Sequence, residues 1–266
     1  MKEFARFAEL AFNPTKHLLA GKKHGAQSLG RKLSQEEVEA VAKDALEWAK
    51  SKGVTHYTFW VQPLTNRTIE KYDAFFELDY SSKDGHKQAA SIDKFNGKIL
   101  VKGEADGSSI PHGGLRGTPE ARAYIVWDHK SNMFIREGIN RTLCIPAMLF
   151  THSGQVLDEK TFLLRASERL KDESLRLLHL LGETDAQSVS FSLGVEQEFF
   201  VVRKKDYEAR TDLHQTGTAL YGALPPHNQQ LSDHYYGKIN DRMYDILNEA
   251  ENELLRLGVP IKTKHK

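Results

Sequence analysis

Two carboxylates stand two residues apart in Ser-Leu-Gly-Val-Glu-Gln-Glu-Phe-Phe (192–200). The alternation around them predicts a strand over residues 188–202. On such a strand Val189, Phe191, Leu193, Val195, Gln197, Phe199 and Val201 share one face. Glu196 and Glu198 then project together from the other, their Cα atoms about 6–7 Å apart. Two solvated glutamates at that distance repel by under about 1 kcal/mol in water, and by roughly 2–3 kcal/mol at an effective dielectric near 20. A half-exposed strand tolerates the pair. A buried strand must raise one pKa or bind a cation, and hard oxygen donors suit Mg²⁺ or Mn²⁺. Spacing alone leaves both readings open.

The elements that must position these residues are legible in part. Ser34 and Glu37 form a capping box, followed by the helical stripe Val38, Val41, Ala42, Ala45, Trp48 and Ala49, with Gly53 as the stop. The β-branched and aromatic run Thr55–Val61 predicts a strand that Pro63 closes. Residues 72–80, 92–101, 124–127 and 143–151 read as further strands, and 103–118 as loop. Helices are expected over Thr161–Leu181, ending at Gly182, and over Tyr236–Leu257, ending at Gly258. Residues 204–233 read as one long polar connection. The expected class is α+β, with residues 1–153 as an N-terminal domain and 154–266 as the first part of a second one.

Composition narrows the function classes. The 266 residues carry 37 basic and 36 acidic side chains, a balance that argues against a dedicated nucleic-acid binder. No stretch reaches the ~20 apolar residues of a membrane helix, and Met1–Ala20 has no signal-peptide core. The single cysteine, Cys144, sits in an apolar run and reads as a small core hydrophobe in a reducing, cytoplasmic setting. Gly113, Gly114 and Gly117 lack the Gly-Lys-Ser/Thr ending of a phosphate-binding loop. His227 and His234, without nearby cysteine, read as surface or subunit contacts rather than zinc ligands.

The segment Gly-Val-Glu-Gln-Glu-Phe-Phe (194–200) resembles the Gly-x-Glu-x-Glu-Phe-Phe strand of glutamine synthetases, and Asp106-Gly107-Ser108-Ser109 resembles their N-terminal loop. Residues 55–65, 113–124, 143–147, 225–237 and 257–265 are similar to the type III branch, so the resemblance runs almost end to end. It implies a β-grasp-like N-terminal domain, then a catalytic domain of antiparallel strands with flanking helices. It also implies ATP-dependent joining of ammonium to glutamate through γ-glutamyl phosphate, in a ring with sites between subunits. On that resemblance Glu196 and Glu198 are ligands for Mg²⁺ or Mn²⁺, and Asp106 helps bind ammonium in the adjacent subunit's site. Read from its residues alone, Asp106 is a turn-forming Asp before Gly. The resemblance further leads us to expect a truncated catalytic domain that is inactive by itself. Two alternatives stay open: a non-catalytic oligomerisation or regulatory subunit that associates with a full-length synthetase, and a truncated gene product.

Overall fold

The computed structural model describes residues 6–19, 33–64, 68–79, 90–101, 103–106, 122–151, 153–199, 201–222 and 237–266. These form β1 (Ala11–Phe12), α1 (Pro14–Leu19), α2 (Gln35–Ser51), β2 (His56–Val61), β3 (Ile69–Ala74), β4 (Phe76–Asp79), β5 (Ala90–Asp93), α3 (Gly97–Val101) and β6 (Gly103–Asp106). Next come β7 (Arg122–Trp127), β8 (Met133–Arg136), β9 (Thr142–Thr151), α4 (Glu159–Leu180), α5 (Lys204–Glu208), α6 (Thr211–Thr216) and α7 (Asp241–Arg256). The chain divides into two compact units, Met1–Asp172 with Ala250–Ile261, and Glu173–Glu249 with Lys262–Lys266. Mixed helices and strands bear out the α+β class at that level.

The first unit is organised by one sheet, in the order β1-β8-β9-β2-β3, with β7 also on β9 and β6 on β7. Its pairs are antiparallel except β2 and β9, which run parallel with Thr58 opposite Cys144. Alternation on β2 buries Tyr57, Phe59 and Val61; from β9 come Leu143 and Ile145, and from β8 Met133 and Ile135. Helix α2 contributes Val38, Val41, Ala42, Ala45, Leu46 and Ala49 to the same core. Its capping box is present as expected: the Glu37 amide donates to Ser34 Oγ, and the Ser34 amide donates to the Glu37 carboxylate. Cys144 is fully buried, and burial pushes its thiol up to about 12, so it is inert as a nucleophile.

Two expectations are corrected in this unit. Residues 92–101 do not form one strand: β5 ends at Asp93 and the chain turns into α3. The Asn96 side chain accepts from the Lys98 and Ile99 amides, and Glu39 of α2 accepts from the Gly97 amide at 2.9 Å. That tertiary cap overrides the β-branched character of Ile99 and Val101. Residues 72–80 are likewise split between β3 and β4 at Phe75, which is buried and packs against Tyr57 and Phe95.

Helix α4 is anchored by Asp158, which has no exposed surface. Its carboxylate accepts from the Thr161 amide (2.7 Å), the Thr161 hydroxyl (2.8 Å) and the Leu149 amide of β9 (2.8 Å). Nearby, Lys160 Nζ lies 2.6 Å from Asp128, to which Ser131 also donates. Burial alone pushes the Asp128 carboxyl up, but the hydrogen bonds from Lys160 and Ser131 and the charge of Lys160 outweigh it and hold the group below its ordinary value. All three expected helix stops are present, with Gly53 at φ +74°, Gly182 at φ +98° and Gly258 at φ +81°.

Candidate functional site

Glu196 and Glu198 lie in the second unit, on a stretch from Gln187 to Arg203 that has no helix and no ladder partner among the described residues. This corrects the expected strand over 188–202. A strand exists only through its neighbours, and among the described residues none pairs with this stretch. The apolar set therefore stands in water: Phe191, Leu193, Val195, Phe199 and Val201 are all exposed, Val195 to 80%. Both glutamates are exposed as well. Gln197 turns back on its own backbone, donating to the Glu196 carbonyl at 3.3 Å.

The donor set fits a hard divalent cation in kind, since both groups offer carboxylate oxygens. It falls short in number. Among the described residues no group of three or more His, Cys, Asp or Glu side chains could hold a metal ion.

Asp106 lies in the first unit, as the last residue of β6, opposite Arg122 of β7. Ladder pairing of β6 with β7, and of β7 with β9, fixes where this strand end falls. The expected loop over 103–118 thus begins as a strand. The rest of the Asp-Gly-Ser-Ser loop, the glycines at 113, 114 and 117, and the histidines at 227 and 234 lie outside the described residues.

Sequence reasoning missed a folded feature inside the expected polar connection. Residues 204–222 form α5, α6 and a turn around Asp212, which is only 5% exposed. Arg210 grips its carboxylate bidentately at 2.8 and 2.6 Å, donates to the Tyr221 carbonyl at 2.6 Å, and lies 4.7 Å over the Tyr221 ring. The Leu220 amide donates to the same carboxylate at 3.0 Å. The hydrogen bonds from Arg210, against the cost of burial, hold the Asp212 carboxyl well below the usual carboxylate range. The Arg-x-Asp spacing followed by Gly217 at φ +69° is the signal that could have located this knot.

Residues 14–166 match the family model described as "Glutamine synthetase type III N terminal". The chain belongs to the type III glutamine synthetase family. Within the family it is 42% identical over 237 residues to a type-3 glutamine synthetase of Dictyostelium discoideum, a match covering 89% of this chain and 31% of that protein. It is 41% identical over 240 residues to a glutamine synthetase of Bacteroides fragilis (90% of this chain, 31% of that one). Against a glutamine synthetase of Butyrivibrio fibrisolvens the identity is 32% over 205 residues (76% and 27%). The chain thus spans about a third of the length of the first two of these relatives (31%). A cryo-EM structure of Plasmodium falciparum glutamine synthetase superposes with a TM-score of 0.35 at 18% identity, covering 53% of this chain and 23% of that one. A superposition that loose carries no argument. No helix among the described residues is long and apolar enough to cross a membrane.

Proposed function

We propose that this chain is the N-terminal portion of a glutamate–ammonia ligase. The ligase activates the γ-carboxylate of glutamate with ATP as γ-glutamyl phosphate and then forms the amide with ammonia. The observation that carries this reading is the family match, together with some 40% identity to named synthetases over nine-tenths of the chain. The N-terminal fold is read as β-grasp-like because α2 shares its core with a mixed sheet whose β2 and β9 run parallel, and residues 154–266 are read as the opening of the catalytic domain on the resemblance of residues 194–200.

In this reading the Glu196 and Glu198 carboxylates hold Mg²⁺ or Mn²⁺. The cation supplies charge neutralisation at the transferring phosphoryl group. Their place on one face of a strand requires neighbouring strands, and the exposed row from Phe191 to Val201 supplies the apolar face those strands would cover. Asp106 offers a carboxylate to ammonium from the adjacent subunit of a ring, binding the cation and favouring loss of its proton. The assembly is cytoplasmic and homo-oligomeric, with glutamate, ammonium and ATP as its small-molecule partners.

The test is turnover by the complete synthetase that carries this sequence. With glutamate, ammonium, ATP and Mg²⁺ it should form glutamine, one for each ATP cleaved. No glutamine with either Mg²⁺ or Mn²⁺ would sink the assignment. The 266-residue chain by itself is expected to form none, because two carboxylates leave the cation far short of a near-octahedral oxygen shell.

A further inference from the structure

Helix α4 crosses the limit of the N-terminal domain. The family match ends at residue 166 and the first run of the first compact unit ends at Asp172, both inside Glu159–Leu180. We propose that an apolar row along α4 is the seat of a helix from the part of the family's polypeptide that lies outside these 266 residues. The proposal rests on the reading of this chain as the N-terminal portion of a synthetase, and not on its turnover.

One side of α4 is already committed. Lys160, Thr161, Leu164 and Glu168 share it at the helical period of about 100° per residue. Lys160 Nζ lies 2.6 Å from Asp128, and Lys130 Nζ lies 2.6 Å from Glu168. Thr161 is buried, with its hydroxyl on Asp158, and Leu164 is half-buried. These contacts fix which side of α4 faces the first unit.

The opposite side is apolar and stands in water. Phe162, Leu163, Ala166, Leu170, Leu177 and Leu180 fall within an arc of about 100°. Each of the five large side chains among them is more than half exposed. A single exposed leucine is ordinary on a protein surface, but five large apolar side chains on one arc of one helix are not. Two acidic residues share the arc. Glu159 stands in the first turn, where it suits the helix dipole, and Glu173 is paired with Arg176 Nε at 2.7 Å.

Spacing and area identify the occupant. Leu163, Leu170 and Leu177 repeat every seven residues, the spacing of a seam between two helices that cross at a shallow angle. The 22 residues of α4 are about 33 Å long. A strip of that length and about 10 Å wide offers roughly 300–400 Å², well under the ~800 Å² per partner of a stable complex between separate chains. A second copy seated on α4 alone therefore falls short. A later segment of the same polypeptide meets no such limit, because the connecting chain sets its effective concentration. The family supplies the length for it: this chain spans 31% of the relatives from Dictyostelium discoideum and Bacteroides fragilis.

Cysteine labelling tests this on the 266-residue chain and on the complete synthetase, with Leu163→Cys, Leu170→Cys and, off the arc, Asp172→Cys. Reaction with N-ethylmaleimide is followed by the mass of the peptide that holds each position. Native Cys144 is fully buried and stays silent. In the 266-residue chain all three thiols should react at similar rates. In the complete synthetase those at 163 and 170 should slow by at least about tenfold relative to the one at 172, as a covered thiol does. Unchanged rates at 163 and 170 overturn the proposal. Labelling that slows as protein concentration rises, in either protein, assigns the cover to a second copy and overturns it too. Glutamine formation by the same preparation separates the two readings. Turnover with an unprotected row fails this proposal alone, and a protected row without turnover fails the ligase reading alone.

Discussion

Replacing either Glu196 or Glu198 with glutamine is expected to lower glutamine formation by the complete synthetase by about 100-fold or more. Outer-shell partners of a metal commonly cost about 10–100-fold when lost, and a direct ligand should cost at least as much. Glutamine keeps the length of the side chain and removes its charge, so the loss reports cation binding rather than packing. Added Mn²⁺ should restore part of the rate, because the remaining carboxylate still offers oxygen to a more tightly binding ion. In the strand proposed for the complete synthetase Gln197 faces away from the two glutamates, so Gln197→Ala should stay within about twofold of wild type. Steady-state rates at saturating substrate, with the metal titrated, measure all three. Rates within about threefold of wild type for both glutamate variants would remove these residues from the site.

The second large effect falls on stability. Asp158→Ala removes a wholly buried carboxylate that accepts three hydrogen bonds and begins α4. Loss of a helix cap costs about 1 kcal/mol. A buried amide left without an acceptor, here that of Leu149, costs about 1–3 kcal/mol more. Together these predict about 3 kcal/mol lost from the N-terminal unit and a Tm lower by about 10 °C. Asp158→Asn should cost less, because one oxygen still accepts. Thermal and urea unfolding of the 266-residue chain would check it. A loss below about 1 kcal/mol would mean that the helix start is held mainly by its other contacts, such as the Glu159 amide on the Gln62 carbonyl at 3.1 Å.

How much of the fold is legible in the sequence depends on how local each determinant is. Helix α2 is legible because its cap, its stripe and its stop lie within about twenty residues of one another. Strand β2 is legible because Tyr57, Phe59 and Val61 are buried where alternation puts them, although Thr58 on the other face is buried too. The short helix α3 is not, since part of its cap comes from Glu39, 58 residues away. The seating of the N-terminal segment is not, since Arg256 meets Glu9 across 247 residues. The candidate site shows the same division. Its two carboxylates and their spacing are plain, and so is the chemistry such donors favour. Whether the segment lies in a sheet depends on neighbouring strands, and alternation of residue types cannot supply those.

The most direct test of the ligase account tracks one oxygen. Glutamate labelled with ¹⁸O in its γ-carboxylate is given to the complete synthetase with ATP, ammonium and Mg²⁺, and the phosphate released is analysed by mass. If γ-glutamyl phosphate forms, the carboxylate oxygen that attacks ATP leaves with the phosphate when ammonia takes its place. Each glutamine should then be matched by one phosphate carrying one ¹⁸O. Unlabelled phosphate, or phosphate released without glutamine, would contradict the account.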